Sequence, residues 1–118
     1  MQQELTSLQV SLLDEYYRCE RLRPIYEEEL AKCAKGKIYR RIVRYKIYYC
    51  LQWREGSRPK SKYIKKEDLI PTQKSIDKRK RLEKDLKHIK IDMQMIEKAL
   101  GKKLIDARRE GWGRIVED

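Results

Sequence analysis

Residues 43–53 read VRYKIYYCLQW, and the fold turns on this stretch. Val43, Tyr45, Ile47, Tyr49, Leu51 and Trp53 alternate with Arg44, Lys46, Tyr48, Cys50, Gln52 and Arg54. A period of two is that of a strand with one face packed and one face wet. On this reading Tyr45, Tyr49 and Trp53 pack against helices, and Tyr48 stands on the other face beside Lys46, Cys50 and Arg54. Glu55-Gly56-Ser57-Arg58 supplies turn residues, and residues 60–65 (KSKYIK) form the returning strand. Pro59, which cannot donate a ladder hydrogen bond, belongs at a strand start or an edge. Residues 38–42 offer a third strand, with the poor turn formers Arg44 and Tyr45 near the bend. The middle of the chain is therefore a small antiparallel hairpin or a three-stranded meander.

On both sides of this segment the period changes to that of a helix. From Gln3 to Lys35 the apolar positions are Leu5, Leu8, Leu12, Cys19, Leu22, Tyr26, Leu30 and Cys33, with charged residues between them. Pro24 lies inside this pattern and predicts a kink or break near Arg23. Gly36 reads as the C-cap. Past Pro71, which suits a first helical turn, Leu82, Leu86, Ile89, Met93, Ile96 and Leu100 are spaced 4, 3, 4, 3, 4. That is a heptad seam, continued by Leu104, with Gly101 as the place where the helix bends or ends. The fold expected is α+β: a long N-terminal helix, the small sheet, and a long C-terminal heptad helix, the helices forming an antiparallel pair. A chain of 118 residues fits one domain, divided into a helix (1–36), a basic β-segment (37–66), a helix (67–110) and a tail (111–118). Trp112, Ile115 and Val116 predict that the tail docks on the rest. Two thin seams make a poor core, so a homodimer through the six seam residues is expected.

The charge is concentrated where the strands are. Counting Lys and Arg against Asp and Glu, residues 1–36 give 5 − 7 = −2, residues 37–66 give 11 − 1 = +10, and residues 67–118 give 14 − 11 = +3. Together they make the net +11. Cations release counterions from phosphates, and exposed rings stack on unpaired bases, so a basic, Tyr-rich segment points to nucleic acid or to a nucleoprotein. The residues proposed for contact are Arg44, Lys46, Arg54, Arg58, Lys60 and Lys62 for phosphates and Tyr48 for stacking. A second basic run, Lys78-Arg79-Lys80-Arg81, is flanked by Asp77, Glu83 and Asp85, and four consecutive helical residues point four ways, so it reads as a solvated helix surface.

Catalytic patterns are lacking. His88 is the single histidine, no Ser-His or Cys-His pair can be assembled, and neither a P-loop nor a G-x-G-x-x-G is present. Cys19, Cys33 and Cys50 lie 14 and 17 residues apart, which matches no metal knuckle or redox motif. No cofactor, metal or small-molecule substrate is expected, and the chain reads as non-enzymatic. With neither a signal peptide nor a membrane span in the sequence, the expected location is the cytoplasm of a bacterial or phage-infected host cell.

Residues 47–69, IYYCLQWREGSRPKSKYIKKEDL, resemble a group of small uncharacterised bacterial, archaeal and phage-borne proteins. They share a Tyr-rich strand, an Arg-Glu-Gly turn and a Ser-Lys-Tyr-Ile strand leading into a charged heptad helix. The matching positions are Tyr48, Tyr49, Leu51, Trp53, Arg54, Glu55, Gly56, Ser61, Tyr63 and Ile64. The resemblance implies architecture and a mobile-element association, with no activity attached. The cysteine cluster of some members is missing here, so no zinc role is implied. Three functional expectations follow: a nucleic-acid-binding module, a phage-encoded inhibitor such as an anti-CRISPR protein acting on a host nucleoprotein, and a coiled-coil adaptor. The last leaves the +10 segment without a purpose.

Overall fold

The computed structural model describes residues 4–109 and, by backbone alone, residues 114–115. The element order is β1 (Glu4–Leu5), α1 (Ser7–Lys32), β2 (Lys37–Val43), β3 (Lys46–Glu55), β4 (Arg58–Ile64), a 3-10 turn (Lys66–Asp68), α2 (Leu69–Leu100), α3 (Lys102–Arg109) and β5 (Arg114–Ile115). This is the expected α+β architecture, with three strands in the middle sheet. The contacts gather into two compact units, residues 1–27 with 85–118 and residues 28–84.

In the first unit α1 starts one turn later than the apolar pattern proposes, because Thr6 caps it. The Gln9 amide donates to Thr6 Oγ1 at 3.2 Å, and the Thr6 amide donates to Gln9 Oε1 at 2.9 Å. This reciprocal pair is a capping box, and its Thr-x-x-Gln signal is visible in the sequence. Leu5, just before the cap, is wholly buried and pairs in parallel with Ile115. Of the tail residues expected to dock, Ile115 does so through its backbone, and Trp112 and Val116 lie outside the described residues.

The core of this unit joins Leu13, Tyr16 and Cys19 of α1 to Ile89, Met93 and Ile96 of α2, closed by Leu104 and Ile105 of α3. The two long helices run antiparallel here, since Tyr16 meets Glu97 and Cys19 lies near Asp92. The heptad seam is therefore filled from within the chain. Leu86, Ile89, Met93 and Ile96 are buried, and Leu82 and Leu100 are half-buried. The apolar stripe that motivated a homodimer already has its partner. Gly101, at φ +85°, ends α2 in the left-handed conformation that glycine adopts without penalty, and α3 begins directly after it. Pro24 is exposed, and α1 continues through it without the expected break.

Tyr16 is 7% exposed and donates its hydroxyl to Glu97 Oε1 at 2.8 Å. Burial, and then the hydrogen bond to the Glu97 carboxylate, push its pKa up to about 12. A folded pKa above the ordinary value near 10 stabilises the protein below pH 10, and that contribution disappears as pH rises through 12. Urea melts of the native protein and of Tyr16→Phe at pH 9, 11 and 12 should converge as pH rises. Parallel curves would show that the hydroxyl is not ionising inside this core.

In the second unit the end of α1 is held by the start of α2. Arg79 donates through Nη1 to the Leu30 carbonyl at 2.9 Å and to the Cys33 carbonyl at 3.3 Å, which caps the open end of the helix. Lys78 reaches Glu29 Oε2 at 3.1 Å, and the Ala34 amide donates to Ser75 Oγ at 2.7 Å. Two of the four residues of the 78–81 basic run are thus used in holding the fold together. Ile64 and Ile76 are the buried apolar residues of this unit.

The sheet has the order β2-β3-β4, antiparallel throughout, with Val43 opposite Lys46 and Glu55 opposite Arg58. Both connections are therefore two-residue turns. Gly56 takes φ +62° at the first position of one, as a II′ turn requires. The other is made by Arg44 at φ +49° and Tyr45 at φ +67°, the I′ pattern in two residues ill suited to it. A side chain in the left-handed region costs about 1–2 kcal/mol per residue. The continuous strand read from Val43 is thus broken at 44–45: Val43 closes β2 and Tyr45 is fully exposed at the turn rather than packed. Gly36, taken as a helix cap, lies four residues past the end of α1 and begins the approach of β2 to β3. A Cβ on it would stand 2.0 Å from the Gln52 carbonyl oxygen.

Candidate functional site

A two-residue turn pairs residue i with residue i+3, so the numbering parity of a face reverses at every turn of this sheet. One face carries the odd residues of β2, the even residues of β3 and the odd residues of β4: Tyr39 opposite Cys50 opposite Tyr63, and Lys37 opposite Gln52 opposite Ser61. Arg41 with Tyr48, Val43 with Lys46, and Pro59 with Arg54 complete it. The other face carries Ile38, Leu51 and Lys62 in one row and Arg40, Tyr49 and Ile64 in the next.

The two faces have different surroundings. Leu51, Lys62, Tyr63 and Ile64 border a groove of about 430 Å3 whose opposite wall includes Cys33, Ala34, Pro71, Thr72 and Ser75. Ile64 is 6% exposed and Tyr49, Leu51, Trp53 and Ile38 are half-buried, so this is the packed face. Of the three rings expected to pack, Tyr49 and Trp53 do so in part. On the first face Tyr39 is 48% and Tyr63 56% exposed, so that face is open to solvent.

The residues singled out from the sequence do not form one surface. Lys46, Tyr48 and Arg54 share the open face; Arg58, Lys60 and Lys62 lie on the opposite one; Arg44 sits in the turn. The reason is parity, because the even-numbered side of β3 continues into the odd-numbered side of β4. The members sequence reasoning left out of the site are Lys37, Tyr39, Arg41, Gln52, Ser61 and Tyr63. The Glu-Gly-Ser-Arg turn carried the signal that would have added the two from β4. Nothing in Arg44-Tyr45 announces a two-residue turn.

The open face carries four cations and no acid. Lys37, Arg41, Lys46 and Arg54 stand on it with no carboxylate among their neighbours in the register. Among the described residues none of the four makes an ion pair. Glu55, the one acid of residues 37–66, belongs to the packed side and accepts from Trp53 Nε1 at 3.3 Å. Tyr48 and Tyr63 meet edge to face, with centroids 6.0 Å apart and ring planes at 62°. A groove of about 600 Å3 is lined by Lys37, Tyr39, Gln52, Arg54, Pro59 and Ser61 of this face together with Trp53 and Lys60 of the other.

No protein-family model, curated protein or solved structure matches this chain. What the surface can do rests on its own chemistry. Among the described residues the one cluster with metal-ligand atoms in reach of each other is Glu15, Cys19 and Asp92 in the first unit. Its Glu15 is taken up by Arg18, at 2.6 and 3.0 Å, and that hydrogen bond holds the carboxyl below the usual carboxylate range. Burial pushes the Cys19 thiol up, away from the thiolate a metal needs. His88 is exposed on α2. No described helix is long and apolar enough to cross a membrane.

Proposed function

We propose that the protein is a non-enzymatic nucleic-acid-binding protein that meets the phosphate backbone with the open face of its three-stranded sheet. One observation carries this reading: Lys37, Arg41, Lys46 and Arg54 are displayed together with no carboxylate on that face and no ion pair among the described residues. Arg18, Arg23, Lys32, Lys78, Arg79 and Arg109 each have a carboxylate within reach. Arg58, Lys60 and Lys62 make no ion pair among the described residues either, and what sets the open face apart is that it gathers four such cations and holds no acid. Unpaired cations gathered on one face bind a polyanion by releasing its condensed counterions, which makes affinity fall steeply with salt. The resemblance of residues 47–69 to phage-borne and mobile-element proteins supports a place on such an element.

Four phosphate contacts correspond to a slope of log affinity against log salt of about −3 to −4. Fluorescence anisotropy with a labelled oligonucleotide between 50 and 200 mM salt should return a slope of that order. Arg41→Glu with Arg54→Glu should weaken binding more than about tenfold and flatten the slope by about 1.5. Lys60→Glu with Lys62→Glu, on the packed side, should do less. If neither single-stranded nor duplex DNA or RNA binds at 50 mM salt, the reading fails.

A further inference from the structure

We infer that the open face is built for an unpaired nucleic-acid strand, whose bases stack on Tyr39 and Tyr63; this rests on the nucleic-acid reading above and names its substrate. The charge alone would serve a duplex equally well. The rings would not, because the faces of paired bases are already covered by their neighbours in the helix.

Two features of the face favour a single strand, and a third bears on the duplex. The first is the exposure of the rings. A tyrosine ring removes a large apolar area from water when it packs, a gain that an exposed ring forgoes. Tyr39 and Tyr63 remain half exposed on the outer strands, directly across from each other with the small Cys50 between them. Adjacent strands lie about 4.8 Å apart, so these two backbones are separated by ~10 Å. Tyr48 supports Tyr63 from the side by its edge-to-face contact, which fixes the Tyr63 ring without covering both its faces.

The second feature is the neighbouring row. Lys37, Gln52 and Ser61 lie one step along the strands, on the same face, and line the groove of about 600 Å3. A lysine there can take a phosphate, and an amide and a hydroxyl can bond the edges that unpaired bases leave free. Rings for stacking, an adjacent polar groove and a flank of cations are what sheet platforms for single strands combine.

The third is width. A duplex major groove admits an α-helix or a two-stranded ribbon. Three strands already span ~10 Å between backbones before side chains are added, nearly the ~12 Å width of the major groove, so the sheet fits a duplex groove more tightly than a two-stranded ribbon does.

The test compares a labelled twelve-residue oligo-dT, oligo-U of the same length and a blunt twelve-base-pair duplex, at 50 mM salt. The single strands should bind at least about tenfold tighter than the duplex. Tyr39→Ala and Tyr63→Ala should each weaken single-strand binding by about tenfold, which corresponds to one stacked base per ring. Their salt slope should be unchanged, and duplex binding should be unaffected. Tyr39→Phe and Tyr63→Phe keep the ring and should bind like the native protein, which separates stacking from any structural role of the hydroxyl. Circular dichroism melts confirm that the alanine variants fold. Equal binding to single strand and duplex, or native affinity in both alanine variants, would overturn this inference and leave the phosphate-binding reading standing. No binding to any of the three probes would overturn the reading on which it rests. A preference of dT over U, or the reverse, would assign the strand to DNA or RNA.

Discussion

Gly36→Ala is expected to destabilise the sheet-bearing unit by about 4 kcal/mol or more, a large share of the 5–15 kcal/mol by which whole domains are stable. Two effects add. Gly36 has φ +111°, a conformation side chains rarely adopt. An added Cβ would also stand 2.0 Å from the Gln52 carbonyl oxygen, 2.8 Å from its carbon and 2.9 Å from Trp53 Cβ. These are mostly backbone atoms of the central strand, so they can yield only by opening the register in which Lys37 faces Gln52. Gly56→Ala is the control. That glycine has φ +62° and nothing within 4 Å of a Cβ, so only backbone strain of about 1–2 kcal/mol is added. Thermal and denaturant melts of the two variants read the difference. If Gly36→Ala melts with Gly56→Ala, the close approach of β2 to β3 is not what requires the glycine.

Ile96→Asp is expected to unfold the first unit, by about 4 kcal/mol or more. Ile96 is 4% exposed in a core with Leu13, Tyr16 and Cys19, and the residues of that core include no cation for a carboxylate. The substitution loses the apolar burial, about 1.5–3 kcal/mol, and adds the cost of a buried charge or of its protonation. Met95→Asp, one residue earlier at a position 64% exposed, should be nearly silent. The pair distinguishes the two meanings of a heptad seam. If the seam joined two copies, Ile96→Asp would give a folded monomer with intact helix content and half the mass in light scattering. With the seam filled by α1, helix signal and cooperative melting are lost instead.

The elements were largely legible in the sequence. A 4-3-4-3-4 spacing from Leu82 to Leu100 can serve only a helix, and the helix forms there. Alternation through residues 46–53 gave the middle strand. Gly101 marked the end of α2, and Thr6-x-x-Gln9 marked the start of α1 for a reader who looks for caps. Propensity and period are local properties, and local properties survive in a one-dimensional text.

The antiparallel pairing of the two helices was legible; that the seam of α2 is filled from within the chain, without a second copy, was not. The seam of α2 looks identical whether a second copy or α1 covers it, because periodicity records that a stripe is buried and not by what. The makeup of the site was hidden for a sharper reason. Membership of a sheet face depends on the length of every turn, and one turn here is formed by Arg44 and Tyr45, which carry no glycine or asparagine to announce positive φ. A miscount of one residue moves every side chain to the opposite face. Which segments are helix and strand, and the concentration of positive charge in residues 37–66, follow from the order of residues alone. That Lys37, Tyr39, Arg41 and Tyr63 share a surface with Tyr48 and Arg54 emerges once the strands pair, because hydrogen-bond register between strands, not order along the chain, sets which side chains stand together.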